Sequence, residues 1–331
     1  YGTGVLLMQV ENLNLPTRSF LKQHVIETFN DYWSDNPGCP ANLTITEIHD
    51  PEIHVPLVLV EILLPEWAED CGIDGVLLVP AEACASDKKE WQSVDWFLSA
   101  FLFVECWHER LWEEKYGPIH SYSTKLKDWD TRVWDRAWAN RIALFLRKWC
   151  AKKHKIAEEE LLGPMPQAEI IVTHDVDAVR KTGAIRLKQS LFTAYNSIRF
   201  LVNGDISNAF LHFKKAFLFF FGAKSWWTFQ DLIELESKLS VQGCFNFFAD
   251  ERSRSFSRWL FDPKYSIRES KVEKLIRNLL DNKMLIGLHP SYDSWADEDL
   301  IRNQKRNLES VVGEKTNLCR QHWLRFAWNS T

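Results

Sequence analysis

The stretch "IIVTHDVDA", residues 170–178, runs from apolar and β-branched residues into His174, Asp175 and Asp177. A short unbroken apolar run predicts a buried strand. Because residues i and i+2 of an extended chain point to the same side, Asp175 and Asp177 can face one pocket, and His174 points away from it. Two carboxylates this close repel each other, and a divalent cation relieves the repulsion. The stretch therefore predicts a strand that ends in a metal site, with one carboxylate on the metal and the other free to accept a proton. Alternatively, either carboxylate caps a following helix.

Strands and helices alternate after this stretch. Continuous apolar runs predict strands at 244–249 and 284–290, and residues 317–326 are strand-like. Amphipathic segments predict helices at 226–239, 269–283 and 298–313. This alternation is typical of parallel strands joined by helical crossovers.

Polar residues of catalytic type follow each of these strands. In α/β folds the functional groups gather at the carboxyl ends of parallel strands. Imidazole together with carboxylate suits zinc and related ions. Taken singly, each histidine also fits a hydrogen-bonded core position, and each arginine a structural ion pair. The residues concerned are Asn246, Asp250, His289, Ser291, Asp293, Arg320, His322 and Arg325.

The first half of the chain predicts a separate α/β domain, residues 1–162. Strands are expected at 55–64 and 75–80, and helices at 94–117 and 133–153. Two prolines and a glycine in "GPMPQ", 163–167, predict a linker. The second domain then covers residues 167–331, and the sequence indicates no role for the first.

Composition excludes several classes of protein. The net charge of −5 and the interrupted basic stretches indicate no nucleic-acid partner. The seven cysteines contain no CxxC pair, which excludes a zinc finger or a disulfide framework and fits a cytoplasmic protein. No apolar run reaches the length of a membrane span. The aromatic and basic segment 181–224 contains "AFLFFFGA", 216–223, which either packs on the body of the protein or contacts a membrane surface or a lipid-linked substrate.

Five stretches resemble motifs of the polysaccharide deacetylase superfamily of carbohydrate esterases. They are "THDVD" (173–177), "CFNFFA" (244–249), "FDPKYSI" (261–267), "IGLHPSYD" (286–293) and "RQHW" (320–323). Their order and spacing agree with the family over residues 167–326. The helix-like "DWFLSAFLFVECWHERLWEE", 95–114, is similar to an N-terminal domain in a bacterial branch found with surface-polysaccharide genes.

The resemblance implies a deformed (β/α) barrel, here expected to lack its C-terminal strands, and a divalent metal, zinc in the first place. Asp177 and His289 would be metal ligands, with Asp293 at the position of the family's second histidine. Asp175 would be the catalytic base and Arg320 would orient it. His322 would stand in for the general acid, or supply the missing ligand nitrogen.

The implied function is hydrolysis of N-acetyl groups on a sugar of a bacterial surface polysaccharide or its precursor. Asp293 in place of histidine favours an alternative, a non-catalytic carbohydrate-binding or scaffold protein on a degenerate deacetylase fold. A third possibility is a hydrolase of another amide or ester on the same fold. The sequence leaves the sugar and the oligomeric state open.

Overall fold

The computed structural model describes residues 14–85, 89–120, 126, 128–222, 227–253 and 255–331. The chain is a mixed α/β protein and divides into two compact units. The N-terminal unit extends to Ala168 and includes Phe326–Asn329, and the C-terminal unit comprises Glu169–Arg325 with Ser330–Thr331. The division thus falls next to the prolines of 163–167.

In the described part of the N-terminal unit, helices and an antiparallel pair of strands pack around an aromatic core. The strands β1 and β2 pair with Leu59 opposite Pro80 and Leu63 opposite Val76. The fully buried side chains of this core include Trp33, Trp96 and Phe145. The elements are α1 (Arg18–Thr28), α2 (Gly38–Ala41), β1 (Leu59–Leu63), β2 (Val76–Pro80), α3 (Trp96–Val104), α4 (Trp107–Tyr116), α5 (Trp138–His154) and α6 (Glu158–Leu162).

The prediction of a single helix at 94–117 is wrong, because the helix is interrupted at Cys106. That residue has a left-handed backbone, with φ of 46°, between α3 and α4. Arg110 stabilises the break: its guanidinium donates to the Glu105 carbonyl at 2.6 Å and to the Glu105 carboxylate at 2.7 Å. Neither glycine nor proline marks this position, so the sequence pattern gave no sign of it.

The C-terminal unit contains a three-stranded parallel sheet in the order β3-β4-β5, which confirms the predicted crossovers. Asp175 of β3 pairs with Asn246 of β4, which in turn pairs with Gly287 of β5. In the described part of the chain the sheet does not close into a barrel. The elements are β3 (Ile171–Val176), α7 (Gly183–Val202), α8 (Ile206–Phe221), α9 (Phe229–Leu239), β4 (Gln242–Phe247), α10 (Phe256–Phe261), α11 (Ser270–Asp281), β5 (Leu285–Leu288) and α12 (Glu298–Val312).

The strand predicted at 317–326 is reduced to one parallel bridge between Leu288 and Cys319. The backbone N–H of Arg320 still donates to the Leu288 carbonyl at 2.9 Å. The chain then leaves the sheet and forms a 3-10 turn at His322–Leu324, in which Trp323 has a φ of 58°. This departure turns the His322 side chain toward the carboxyl ends of the strands.

Helices α7 and α8 form an antiparallel hairpin, called the α7–α8 hairpin below. The Ser190 and Ser197 hydroxyls of α7 donate to the carbonyls of Ala216 and Ala209 in α8, at 3.0 and 2.6 Å. None of the described helices is long and apolar enough to span a membrane.

Candidate metal centre

Three side chains meet at the carboxyl ends of β3 and β5. Asp177 follows β3, His289 follows β5, and His322 comes from the 3-10 turn. The Nε2 atom of His289 lies 3.3 Å from the Asp177 Oδ1 and 2.7 Å from the His322 Nδ1. The His322 Nδ1 lies 3.5 Å from the same carboxylate oxygen. One ligand atom from each residue therefore faces a common point.

Backbone carbonyls fix the tautomer of both imidazoles. The Nδ1 of His289 lies 2.6 Å from the Arg320 carbonyl oxygen, and the Nε2 of His322 lies 2.8 Å from that of Phe261. A carbonyl oxygen only accepts, so each of these nitrogens carries the proton and donates it. In the neutral rings the lone pairs of the other two nitrogens are left facing the site.

These two nitrogen atoms lie only 2.7 Å apart, and their lone pairs repel each other unless a cation lies between them. A shared proton or a metal ion would serve, and the Asp177 carboxylate beside the pair favours positive charge there. Two histidines and a carboxylate form a ligand set that zinc accepts. The outward hydrogen bonds to carbonyls are those that orient metal-binding imidazoles in proteins.

The spacing of the three ligand atoms fits a metal ion of zinc's size. Bonds of about 2.0–2.1 Å in a tetrahedral arrangement separate two ligand atoms by roughly 3.3 Å. The two histidine-to-carboxylate distances of 3.3 and 3.5 Å already have this length. The two nitrogens would need to separate by about 0.6 Å, which is within the reach of two side-chain rotations.

Burial sets the electrostatics of the group. The histidine side chains are 2% and 7% exposed, and Asp177 is 64% exposed at the opening. Burial and the neighbouring His289 lower the pKa of His322. Partial desolvation by the surrounding residues would raise the pKa of Asp177, but the neighbouring His289 outweighs it and lowers the pKa. These two shifts favour a neutral His322 imidazole and an ionised Asp177 carboxylate, the forms that bind a metal.

Asp175 lies beside this group without joining it. Its carboxylate is 3.3 Å from the Arg320 Nε, 3.9 Å from the His289 Nδ1, and accepts from the Asn246 side chain at 3.3 Å. Arg320 also donates to the Thr173 hydroxyl at 2.7 Å, which holds the guanidinium along β3. Asp175 is thus an oriented carboxylate beside the His289 imidazole, on its Nδ1 side.

His174 points to the other side of the strand, which confirms the predicted alternation. Its imidazole pairs with the buried Glu236 of α9 and stacks on Phe245 at a centroid distance of 4.6 Å. The role of this histidine is structural.

Asp293 does not lie with Asp177 and His289. Its carboxylate accepts from Arg252 at 2.9 Å and from the Ser291 hydroxyl at 2.8 Å, in a second acidic group with Asp250 and Asp262. Burial would raise the pKa of Asp293, but Ser291 and Arg252 outweigh it and lower the pKa. His322 occupies the third ligand position that the sequence analysis assigned to Asp293. The Nε2 of His322 donates to the Phe261 carbonyl, and its Nδ1 faces His289 and Asp177.

A cavity of about 560 Å³ opens onto the centre. Asp175, Asp177, His289, Arg320 and His322 line it together with the aromatic rings of Trp259, Phe261 and Trp323. Two aromatic residues that follow β5, Tyr292 and Trp295, are not among the lining residues. Tyr292 stacks on Phe261 at 4.2 Å, and Arg325 covers the rings of Tyr292 and Trp295.

Sequence reasoning missed the contribution of α10 and α7 to this cavity. Trp259 and Phe261 come from α10, and Lys188 and Gln189 from α7. The only signal for α10 was the motif-like "FDPKYSI", which begins at Phe261.

Comparison of the chain with known proteins found no matching family model, no matching curated protein and no matching solved structure. The functional inference therefore depends on the geometry of this centre and on the motifs in the sequence.

Proposed function

We propose that the C-terminal unit is a metal-dependent hydrolase that removes N-acetyl groups from a sugar of a bacterial surface polysaccharide or its precursor. We further propose that its parallel sheet belongs to a deformed (β/α) barrel of the polysaccharide deacetylase type. One observation supports the proposal most strongly: two imidazole lone pairs and the Asp177 carboxylate converge at one point, beside the oriented Asp175.

Asp177, His289 and His322 would hold the ion, with zinc the first candidate. A divalent ion at this position would polarise an acetyl carbonyl and acidify water. The Arg320 and Phe261 carbonyls would keep each imidazole in the tautomer that binds a metal.

Asp175 is the proposed general base. It would accept a proton from the attacking water, since its carboxylate lines the same cavity and lies beside His289 without belonging to the group of three ligands. Arg320 and Asn246 act as positioning residues, because their contacts hold the Asp175 carboxylate in one orientation. The engaged nitrogens of His322 leave the general acid unassigned.

The cavity supports a carbohydrate as substrate. Its volume of about 560 Å³ has room for a sugar residue with its acetamido group, within the range of small-molecule sites. The exposed rings of Trp259 and Trp323 offer apolar faces on which a sugar ring can stack, and carboxylates and Arg320 offer partners for hydroxyl groups.

Acetate release from a panel of N-acetylated sugars and acetylated esters tests the proposal, using the zinc-loaded full chain. Release from N-acetyl sugars is expected, and Asp175→Asn should abolish it while the zinc content stays unchanged. Release from esters alone would favour the other hydrolase. A chain that binds sugars, holds no metal and is indifferent to Asp175→Asn would favour the carbohydrate-binding protein.

A further inference from the structure

The α7–α8 hairpin exposes an unusual amount of apolar surface. Seven large apolar side chains of α7 and eight of α8 are between 36% and 79% exposed, about half of all such side chains in the described chain. Soluble proteins rarely leave contiguous apolar patches of this kind uncovered. The hairpin therefore has a surface that a further component should cover.

Most of the exposed apolar residues form one stripe on each helix. On α8 the stripe follows the spacing i, i+4, i+7, i+11 at Ile206, Phe210, Phe213 and Phe217. On α7, Leu187, Leu191 and Ile198 define the corresponding stripe. Each stripe is thus a continuous ridge along most of its helix.

The two stripes open to the same side of the hairpin. Small residues make the seam between the helices: Ser190 and Ser197 of α7 against Ala216 and Ala209 of α8. Each residue of an α-helix is rotated by about 100° from the one before it. On both helices the stripe is rotated by roughly 80–120° about the helix axis from the residues of the seam, and in the same direction. Because the helices are antiparallel, equal rotations turn both stripes toward one face. A tight seam of small residues is the packing that helices use in membranes.

The charge of the hairpin indicates what covers this face. Residues 181–222 contain six lysines and arginines and a single acidic residue, whereas the whole chain has a net charge of −5. Arg199 and Lys214 are exposed and lie at roughly 70–100° from the centres of the stripes, on the side away from the seam. Cations beside an apolar face are suited to the phosphates of anionic lipids when the apolar side chains enter the acyl layer.

We infer that the α7–α8 hairpin docks on the surface of an anionic lipid bilayer, lying in the interface without crossing it. The first two turns of α7 also line the cavity at the candidate centre, through Ala184, Ile185, Lys188 and Gln189. Docking would therefore bring the mouth of this cavity next to the lipid headgroups. The inference stands on the hairpin alone and does not require the hydrolase proposal.

Flotation of the full chain with vesicles tests the inference. The chain should float with vesicles that contain phosphatidylglycerol, and floating should weaken with salt and on pure phosphatidylcholine. The double variant Phe210→Glu with Phe217→Glu should bind roughly a hundredfold more weakly, about tenfold for each buried ring lost. The double variant Arg199→Gln with Lys214→Gln should lose roughly fivefold for each cation.

Leu235→Glu with Leu239→Glu on α9 is the matched control, since these leucines are 53% and 62% exposed outside the hairpin. This control should float as the native chain does. Native protein that stays with the buffer, or hairpin variants that float unchanged, would overturn the inference. So would a stable dimer, seen by light scattering, that the phenylalanine variant dissociates, because a second copy would then cover the face. Zinc content of the same variants reports on the metal centre separately.

Discussion

Gly287 allows the close packing that positions Asp175, and its replacement by alanine is an informative perturbation. A Cβ atom at this position would lie 2.1 Å from the Asn246 side-chain oxygen and 3.3 Å from the Leu318 Cβ. Asn246 is only 2% exposed and donates to Asp175 at 3.3 Å. It cannot swing into solvent, so Gly287→Ala must push it against its neighbours.

The structure sets the size of this effect. An ordinary contact begins at 3.4 Å, so the Asn246 oxygen must move by about 1.3 Å, the difference from 2.1 Å. Overpacking of this kind costs about 1–3 kcal/mol of the free energy of unfolding. Where space exists, glycine to alanine instead stabilises by about 0.4–1 kcal/mol. Gly183→Ala, with no atom within 4 Å of the added carbon, provides that control.

Urea unfolding followed by circular dichroism measures the effect. Gly287→Ala should unfold at lower urea than the native chain, and Gly183→Ala at equal or higher urea. Adding Asn246→Ala to Gly287→Ala removes the clashing oxygen, so the double variant should cost clearly less than the sum of the two single changes. Native-like stability of Gly287→Ala, or a strictly additive double variant, would refute this explanation.

Three further predictions concern individual contacts. Asp175→Asn should lower acetate release by roughly 10²–10⁴-fold, as loss of a general base does, with zinc content unchanged; equal activity would exclude that role. His174→Leu should lower the free energy of unfolding by about 3–5 kcal/mol, measured by thermal unfolding, because it leaves Glu236 buried without its partner. Adding Glu236→Leu should restore most of this loss, and no recovery would contradict the pairing. Because the folded chain lowers the pKa of Asp293, its ionised carboxylate stabilises the fold at pH values above the ordinary pKa of 3.8, and this stabilisation is lost as the pH falls. Arg252→Gln should therefore reduce the loss of stability between about pH 5 and pH 2. An unchanged dependence of stability on pH would show that Arg252 does not lower this pKa.

Local sequence patterns were sufficient to predict most of the strands and helices of the C-terminal unit. The strand that contains Asp175 and the strands at 244–249 and 284–290 have continuous apolar runs, and the helices between them are amphipathic. The burial expected of the first strand is wrong, because β3 lies at the edge of the described sheet and Ile171 is 52% exposed. Both signals depend only on neighbouring residues, which is why parallel strands with helical crossovers could be predicted. The alternation of His174 and Asp175 across the strand followed from the same geometry.

Contacts between residues far apart in the sequence determine the positions of the side chains that local patterns did not predict. His322 reaches the candidate metal centre because the chain leaves the sheet after Arg320, where the Arg320 carbonyl accepts from His289. A strand-like sequence gives no indication of such a turn. Asp293 was assigned by motif position, but Arg252 lies close enough to bind it. Ion pairing across 41 residues is invisible in the spacing of either residue.

The metal content of the purified chain tests the central claim most directly. Elemental analysis after dialysis against zinc would compare the native chain with His289→Ala, His322→Ala, Asp177→Ala and the control Asp293→Ala. Near-stoichiometric zinc is expected in the native chain and in Asp293→Ala, and loss of zinc in the other three. A native chain that stays empty in excess zinc or cobalt, or one that loses zinc with Asp293→Ala but retains it with His322→Ala, would contradict the proposed centre.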